Sequence, residues 1–399
     1  MLARDRWLLP EGIEEVLPEE SERIEGLRRK ILDLFSVWGY RMVIPPMIDF
    51  LDSLLVGTGR DLDLQTFKLI DQISGRMLGM RADMTPQVAR IDARTAKAGS
   101  LARLYYLGTV LHTQSDHLEK SRSPMQVGAE LYGHAGNASD IEIIRLMLEM
   151  LGVAGVVDVH LDLGHVGIYR GLARGAGLSC EQEAELFEIL QRKDRTELVC
   201  FLDGAQVEQS KAERLIALLD LNGTFPVLAL ARERLGEAGE FVHAALADLE
   251  AVAAHFHRMH PALPVNFDLA ELRGYHYQTG VVFAAYVPGY GREIARGGRY
   301  DEIGKVFGPA RPATGFSADL KVLARLSSVG DDADMAVSVI FAPADDDPDL
   351  HETIRNLRGA GSVVVQQLPG QTEGALEMRC GFELRKQERK WAVMRIDAR

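Results

Sequence analysis

Between the strand-like run VHLDLGH and the next one, PVNFDLAELRGYHYQTGVVFAAYV, lies a long stretch, residues 172 to about 258, rich in Ala, Leu and Glu. It carries helical periodicity throughout and reads as a helical module inserted into a sheet. The runs outside it read as hairpins and antiparallel strands with helices beside them. Strand and helix do not alternate regularly in the main body. The pattern therefore predicts an α+β architecture rather than a doubly wound one.

Local signals divide the rest of the chain. Residues 19–38 put Ile24, Leu27, Ile31, Leu32 and Leu34–Phe35 on one stripe, an amphipathic helix closed by Gly39. RMVIPPMIDF follows as a short strand, demoted to an edge or interface by Pro45 and Pro46. FKLIDQISGRMLGM predicts a hairpin turning at Ser74–Gly75, with a helix after MRADMTP, where Asp83 or Thr85 is the cap and Pro86 is early in the helix. LARLYYLGTVLHT and SPMQVGAELYGH are strands around the polar loop SDHLEKSR. Residues 139–151 predict a helix capped at Ser139–Asp140, and VVDVHLDLGHVGIY predicts a strand. REIARGGRYDEI and ATGFSADLKVLARL close the main body. From about residue 333 come a strand (MAVSVIFA), a helix (LHETIRNLRGAG) and two more strands (SVVVQQL, WAVMRI), a small α/β unit.

A chain of 399 residues exceeds one typical domain. Its net charge of −13 opposes a large nucleic-acid surface, which needs clustered Lys and Arg. Cys180, Cys200 and Cys380 are far apart, form no CxxC and suit a reducing compartment. The acid-rich N-terminus, interrupted by Pro10 and Pro18, is no signal peptide, and no uncharged apolar run approaches the ~18 residues of a membrane span. A cytoplasmic protein is expected. His255, His257 and His260 lack the further ligand a closed zinc site needs, so surface histidines at a helix end are the expectation. No phosphate-binding glycine loop and no nucleophile triad stand out, so no metal, cofactor or catalytic residue is expected.

The order GYRMVIPPMIDF, MRADMTPQVAR, YYLGTVLHTQ…SPMQVGAELYG, ELRGYHYQTGVVF, ARGGRYDEI and PATGFSADL resembles class II aminoacyl-tRNA synthetases, and histidyl-tRNA synthetase among them. The likeness runs from residue 1 to about 326. It implies a synthetase-like antiparallel sheet flanked by helices over 1–326, with the helical insertion at about 172–258 and a separate small α/β domain over 333–399. In that family a strand ends in Phe-Arg-x-Glu, where this chain has Leu111, His112, Thr113 and Gln114. The following loop, normally basic, is Ser115–Arg122, with Asp116 and Glu119 offset only by Lys120 and Arg122. A third motif ends in Gly-x-Glu-Arg, where Asp319, Leu320, Lys321 and Val322 stand. Both arginines that grip ATP are replaced. Losing one positive contact to a transferring phosphoryl group costs roughly 10³-fold or more, so negligible adenylation is expected.

The amino-acid pocket implied by the resemblance is kept. Asp83, Thr85 and Gln126 match the positions that meet a histidine's ammonium, Glu130 with Gln278 those that meet its imidazole, and Arg273 one that meets its carboxylate. Tyr277 and Tyr300 would line the wall. Gln278 departs from the family's tyrosine. Acids for the cationic end and an arginine for the anionic end suit an imidazole-bearing zwitterion, each charge-assisted bond being worth roughly 1.5–3 kcal/mol. A synthetase-like chain with this pocket and without the ATP grips resembles the regulatory subunits of ATP phosphoribosyltransferase. That resemblance implies a short catalytic partner subunit, a role in the first step of histidine biosynthesis, and L-histidine as allosteric feedback inhibitor. It also implies a homodimer within a hetero-oligomer, with no tRNA bound. A divergent active histidyl-tRNA synthetase and a stand-alone histidine-binding regulator remain the alternatives.

Overall fold

Helix α1 (Pro18–Val37) begins with proline at its first position and Glu19 and Glu20 in the first turn, where acids meet the positive end of the helix dipole. Ile24, Leu27, Ile31 and Phe35 form its buried stripe, and Gly39 turns the chain out of it at φ +80°. The protein is described here by a computed structural model covering residues 8–55, 60–97, 99–115, 121–270, 277–308, 310–328 and 339–396. It divides into two units, Met1–Ser327 and Ser328–Arg399.

RMVIPPMIDF is two strands rather than one. β1 (Arg41–Met42) and β2 (Ile48–Phe50) lie in different sheets, because Pro45–Pro46 removes two backbone donors between them. Helices α2 (Leu51–Leu55) and α3 (Arg60–Gln65) follow. β3 (Lys68–Ile70) and β4 (Met77–Met80) form the expected hairpin, and β4 also pairs with β2 in a small antiparallel sheet. Its turn uses Gly75 at φ +70°, with Asp71 accepting from the Ile73 and Ser74 amides.

The main sheet takes β5 (Ala102–Thr109), β6 (Met125–Tyr132), β7 (His160–His165), β8 (Asn222–Gly223), β9 (Val265–Asp268), β10 (Val281–Tyr286), β11 (Ala295–Arg299) and β12 (Ala313–Asp319). Its order among the described residues is β1-β5-β6-β12-β11-β10-β7-β9-β8. Neighbours are antiparallel except β1–β5 and β7–β9. β1 is an edge strand, with Pro45–Pro46 shortly after it.

Helices α4 (Thr85–Thr95), α5 (Asn137–Val153), α6 (Val166–Ala176), α7 (Cys180–Arg192), α8 (Arg195–Gly204), α9 (Gln209–Ala217), α10 (Pro226–Arg234), α11 (Glu240–Met259) and α12 (Leu320–Leu326) complete this unit. Three local expectations change. The strand VVDVHLDLGHVGIY stops at His165, whose Nδ1 accepts the Gly167 amide at 3.0 Å and starts α6. The inserted stretch is not wholly helical, since Asn222–Gly223 reaches the sheet edge beside β9. Ser139 and Asp140 do not cap α5, which starts after Gly136. They are buried and bind the Arg299 guanidinium instead.

Strand alternation sends side chains to opposite faces. Val127, Ala129, Leu131, Phe283, Phe316 and Ala318 enter the larger core with α1, α5, α6 and α11. A second, smaller cluster lies on the other face. It holds Met84, Val88, Tyr106, Tyr132, Tyr300 and Ala313, closed by α4.

In the second unit β13 (Ile340–Ala342), β14 (Val364–Gln366), β15 (Phe382–Gln387) and β16 (Lys390–Arg395) form one sheet in the order β14-β13-β15-β16. Ile340, Ala342, Val364 and Leu384 pack with Leu350 and Ile354 of the helix Pro348–Gly359. β15 is a strand that the sequence patterning did not mark. Its charged second half, residues 385–387, is exposed, and the strand pairs along its length with β16.

Candidate functional site

On the smaller-core face, adjacent strands align side chains in rows. Glu130 stands opposite Gly315, which stands opposite Gly298; two residues along, Gly128 faces Ser317, which faces Arg296. A further step brings Gln126 opposite both Gly108 and Asp319. Gln126 and Glu130 thus mark the ends of a floor about 13 Å long at the usual strand rise. A Cβ on Gly315 would lie 1.4 Å from Glu130 Oε2, so the carboxyl can lie over β12 only because residue 315 is glycine.

Five of the expected pocket residues join one hydrogen-bonded network. Glu130 is 1% exposed. Its Oε1 accepts from Tyr106 Oη at 2.9 Å and Thr85 Oγ1 at 3.4 Å, and its Oε2 accepts from Tyr300 Oη. Burial disfavours its charged form and pushes its pKa up to about 8, against the opposing pull of those hydroxyls. Asp83 Oδ1 accepts the Thr85 amide at 3.0 Å and Gln126 Nε2 at 2.8 Å, while Gln126 Oε1 takes the Met84 amide at 2.9 Å. Asp83 therefore supports the start of α4 from one residue outside the cap, which is Met84. Gln126 ties that turn to the sheet.

Tyr277 packs against the cluster that contains Tyr300, and burial raises its phenol pKa. Gln278 is buried at 6% exposure. Among the described residues its Nε2 makes one long contact, 3.4 Å to Gly297 O, and its Oε1 has no partner. Arg273 lies outside the described residues.

The positions matching the family's ATP contacts have other partners. His112 Nε2 is 2.9 Å from Ala82 O, and burial lowers its pKa. Asp319 caps α12 and accepts the Lys321 and Met125 amides, both at 3.0 Å. Lys321 is buried, its Nζ 3.1 Å from Glu14 Oε1. Val322 is part of the larger core. Residues 116–120 of the intervening loop lie outside the described residues, and Arg122 at its end donates to His112 O and Glu11 O.

The sequence reading missed three residues on or beside this face. Tyr106 could have been found from alternation, since YY in a strand must send one ring to each side. Arg296 lies in the central row and pairs with Glu293 at 3.0 Å. Arg81 is buried and donates to Thr109 O and Pro45 O. No local pattern distinguishes it from a surface arginine.

A mixed sheet in this order, with an acid-and-tyrosine cluster over a glycine floor, defines a class II aminoacyl-tRNA synthetase-like protein. Residues 12–323 match the family model for histidyl-tRNA synthetase, and residues 337–394 match that for the ATP phosphoribosyltransferase subunit HisZ C-terminal domain. The chain belongs to the ATP phosphoribosyltransferase regulatory subunit family. A relative so named from Methylococcus capsulatus is 63% identical over 98% of this chain and 96% of its own length. Another, from Thioalkalivibrio sulfidiphilus, is 57% identical over 98% and 99%. Among solved structures, an ATP phosphoribosyltransferase regulatory subunit/histidyl-tRNA synthetase from Bacillus halodurans C superposes with a TM-score of 0.80 at 26% identity, covering 94% of this chain and 96% of that one. Histidyl-tRNA synthetase from Nostoc sp. PCC 7120 shares the fold, with a TM-score of 0.76 at 19% identity over 95% and 91%. No helix among the described residues is long and apolar enough to cross a membrane.

Proposed function

We propose that this chain is a non-catalytic regulatory subunit that acts with a short catalytic subunit of ATP phosphoribosyltransferase in the first step of L-histidine biosynthesis, and that it mediates feedback inhibition by histidine. The observation that carries this reading is the contrast between the pocket face and the positions of the family's ATP grips. Asp83, Thr85, Gln126, Glu130 and Tyr300 form a connected polar network, while the positions of the family's ATP grips hold a helix cap, a lysine paired with Glu14 and a core valine. A triphosphate needs fixed cations. Lys321 is already neutralised, and Val322 has no charge to offer.

Histidine is the ligand whose ammonium would meet Asp83, Thr85 and Gln126, whose imidazole would meet Glu130 and Gln278, and whose carboxylate would meet Arg273. Tyr277 and Tyr300 complete the wall. Histidine then acts by linkage. It binds one arrangement of the hetero-oligomer better, with a coupling of about 1–3 kcal/mol to the catalytic partner. The regulatory chains pair as a homodimer through the edge around β1, where Val37, Ile44 and Ile48 are exposed apolar side chains. The complex works in the cytoplasm and binds no tRNA. Residues 1–326 are the ligand-binding domain, and 333–399 form the small C-terminal domain.

Three assays test this. The purified chain should show no histidine-dependent ATP–pyrophosphate exchange, and measurable exchange would make it a synthetase. Pull-down from its own cells should recover a phosphoribosyltransferase catalytic chain, and its consistent absence would remove the subunit role. Asp83→Ala should weaken histidine binding in calorimetry by tenfold or more, roughly the value of one charge-assisted bond.

A further inference from the structure

The acceptor inventory of the pocket is more specific than its polarity. A carboxyl group offers about four lone-pair sites. Glu130 uses three, for Tyr106 from β5, Thr85 at the start of α4 and Tyr300 after β11, which leaves one. Gln278 Oε1 is a second acceptor, on a side chain more than nine-tenths buried, and this atom has no partner among the described residues. An orphaned buried carbonyl costs free energy unless something fills it. The two side chains lie over neighbouring glycines. A Cβ on Gly298 would lie 2.8 Å from Gln278 Nε2, one on Gly315 would lie 1.4 Å from Glu130 Oε2, and those glycines are directly opposite each other on neighbouring strands. Glu130 and Gln278 therefore sit over adjacent tiles of one floor.

Resting on the histidine reading above, we propose that the pocket recognises imidazole through one shared proton: one ring N–H is donated to Gln278 Oε1, and the other ring nitrogen shares with Glu130 a proton that the empty protein already carries on that carboxyl. The proton does not leave. It lies either as carboxylic acid facing neutral ring or as carboxylate facing imidazolium, and the total is the same. The geometry supplies the reason. Glu130 is buried, with hydroxyl partners only and no ion pair among the described residues; Tyr132 stands beside it on its own strand, Asp83 and Tyr277 are nearby, and the cation on the same floor, Arg296, lies one row along and is paired with Glu293. With nothing cationic bonded to it, its neutral form is favoured, consistent with its upward shift to about 8.

Linkage turns this into a measurable profile. Between the pKa of a free imidazole, about 6.5, and that of Glu130, about 8, ring and protein already hold the one proton required. Below this window the ligand carries a proton that must be released. Above it Glu130 must take one up. L-Histidine affinity, measured by calorimetry on the purified full-length chain from pH 5.5 to 9, should peak inside the window and fall by up to tenfold per pH unit on either side. The ligand's own ammonium also titrates on the alkaline side, so Glu130 is assigned by variant. At pH 9, in paired buffers of different ionisation enthalpy, wild type should take up one proton more per histidine than Glu130→Gln. Because both ring nitrogens are used, histidine methylated at either one should bind at least roughly tenfold more weakly to the wild type, and Gln278→Met should cost a similar factor.

A flat profile, or an N-methylhistidine binding as tightly as histidine, overturns the shared proton and leaves the histidine reading intact. Absence of any histidine binding at every pH overturns the histidine reading, and this proposal with it.

Discussion

Gly315 on β12 stands opposite Glu130 on β6, and a Cβ at residue 315 would overlap the carboxyl, 1.4 Å from Oε2. No rotamer adjustment of an alanine can relieve this, because the same Cβ would also be 2.8 Å from Ala129 O. Gly315→Ala should therefore force Glu130 off Tyr106, Thr85 and Tyr300. The expected cost is about 1–3 kcal/mol in urea unfolding, the usual range for overpacking, with histidine binding lost by at least tenfold. A variant with wild-type stability and affinity would show that the carboxyl need not lie over this glycine.

Arg299, on β11, is another buried charged side chain. Its Nε and Nη2 bond Asp140 Oδ2 at 3.1 and 2.9 Å, and Nη1 reaches His134 O at 3.1 Å, which locks β11 to α5. Removing one partner of such a pair strands the other charge. Arg299→Met should lower the unfolding free energy by about 3–5 kcal/mol, and adding Asp140→Leu should recover part of that loss. Equal loss in single and double variants would mean that packing, not the stranded carboxylate, sets the cost.

Glu130 should make stability fall with rising pH. Its folded pKa is raised from 4.5 to about 8, so its contribution is fully present below pH 4.5 and is lost as pH rises through 8. The span corresponds to about 5 kcal/mol at most. Glu130→Gln removes the titration. Urea midpoints should show the variant gaining on wild type from pH 5 to 8, and parallel curves would contradict a neutral buried acid.

His165 works in the opposite direction. Burial lowers its pKa from 6.5 to about 4 while its Nδ1 caps α6. The unfolded chain takes up a proton first, so stability present above pH 6.5 is lost as pH falls towards 4, by about 3 kcal/mol. Asp248, 3.9 Å from Nε2, limits the shift. His165→Asn keeps an acceptor for the Gly167 amide and should flatten this acid limb in pH-dependent thermal melts.

The legible part of the fold was the part written in periodicity. The buried stripe of α1, the hairpin at Ser74–Gly75 and the edge position of β1 follow from apolar spacing, turn residues and prolines that act over a few residues. Failures came where a distant partner overrode a local signal. Ser139 and Asp140 look like a helix cap, yet buried Arg299 takes them both. The charged strand β15 has little apolar pattern and is fixed by pairing with β16. In the pocket, Asp83, Thr85, Gln126, Glu130 and Tyr300 were legible as motif positions. The tie between Asp83 and Gln126, the hydroxyl of Tyr106 on Glu130 and the orphaned carbonyl of Gln278 were not.

By itself, then, the amino-acid order determined the α+β class, the family and the chemical types available to the pocket, because composition and short-range spacing are properties of the chain. Only the tertiary structure decided the floor, in which Glu130 on β6 meets Gly315 and Gly298 on two strands far from it in sequence. It also decided that Lys321 is spent on Glu14 and that Glu130 is enclosed by hydroxyls. Register and burial set which charges meet and how far each is removed from water, and neither is a property of any single segment.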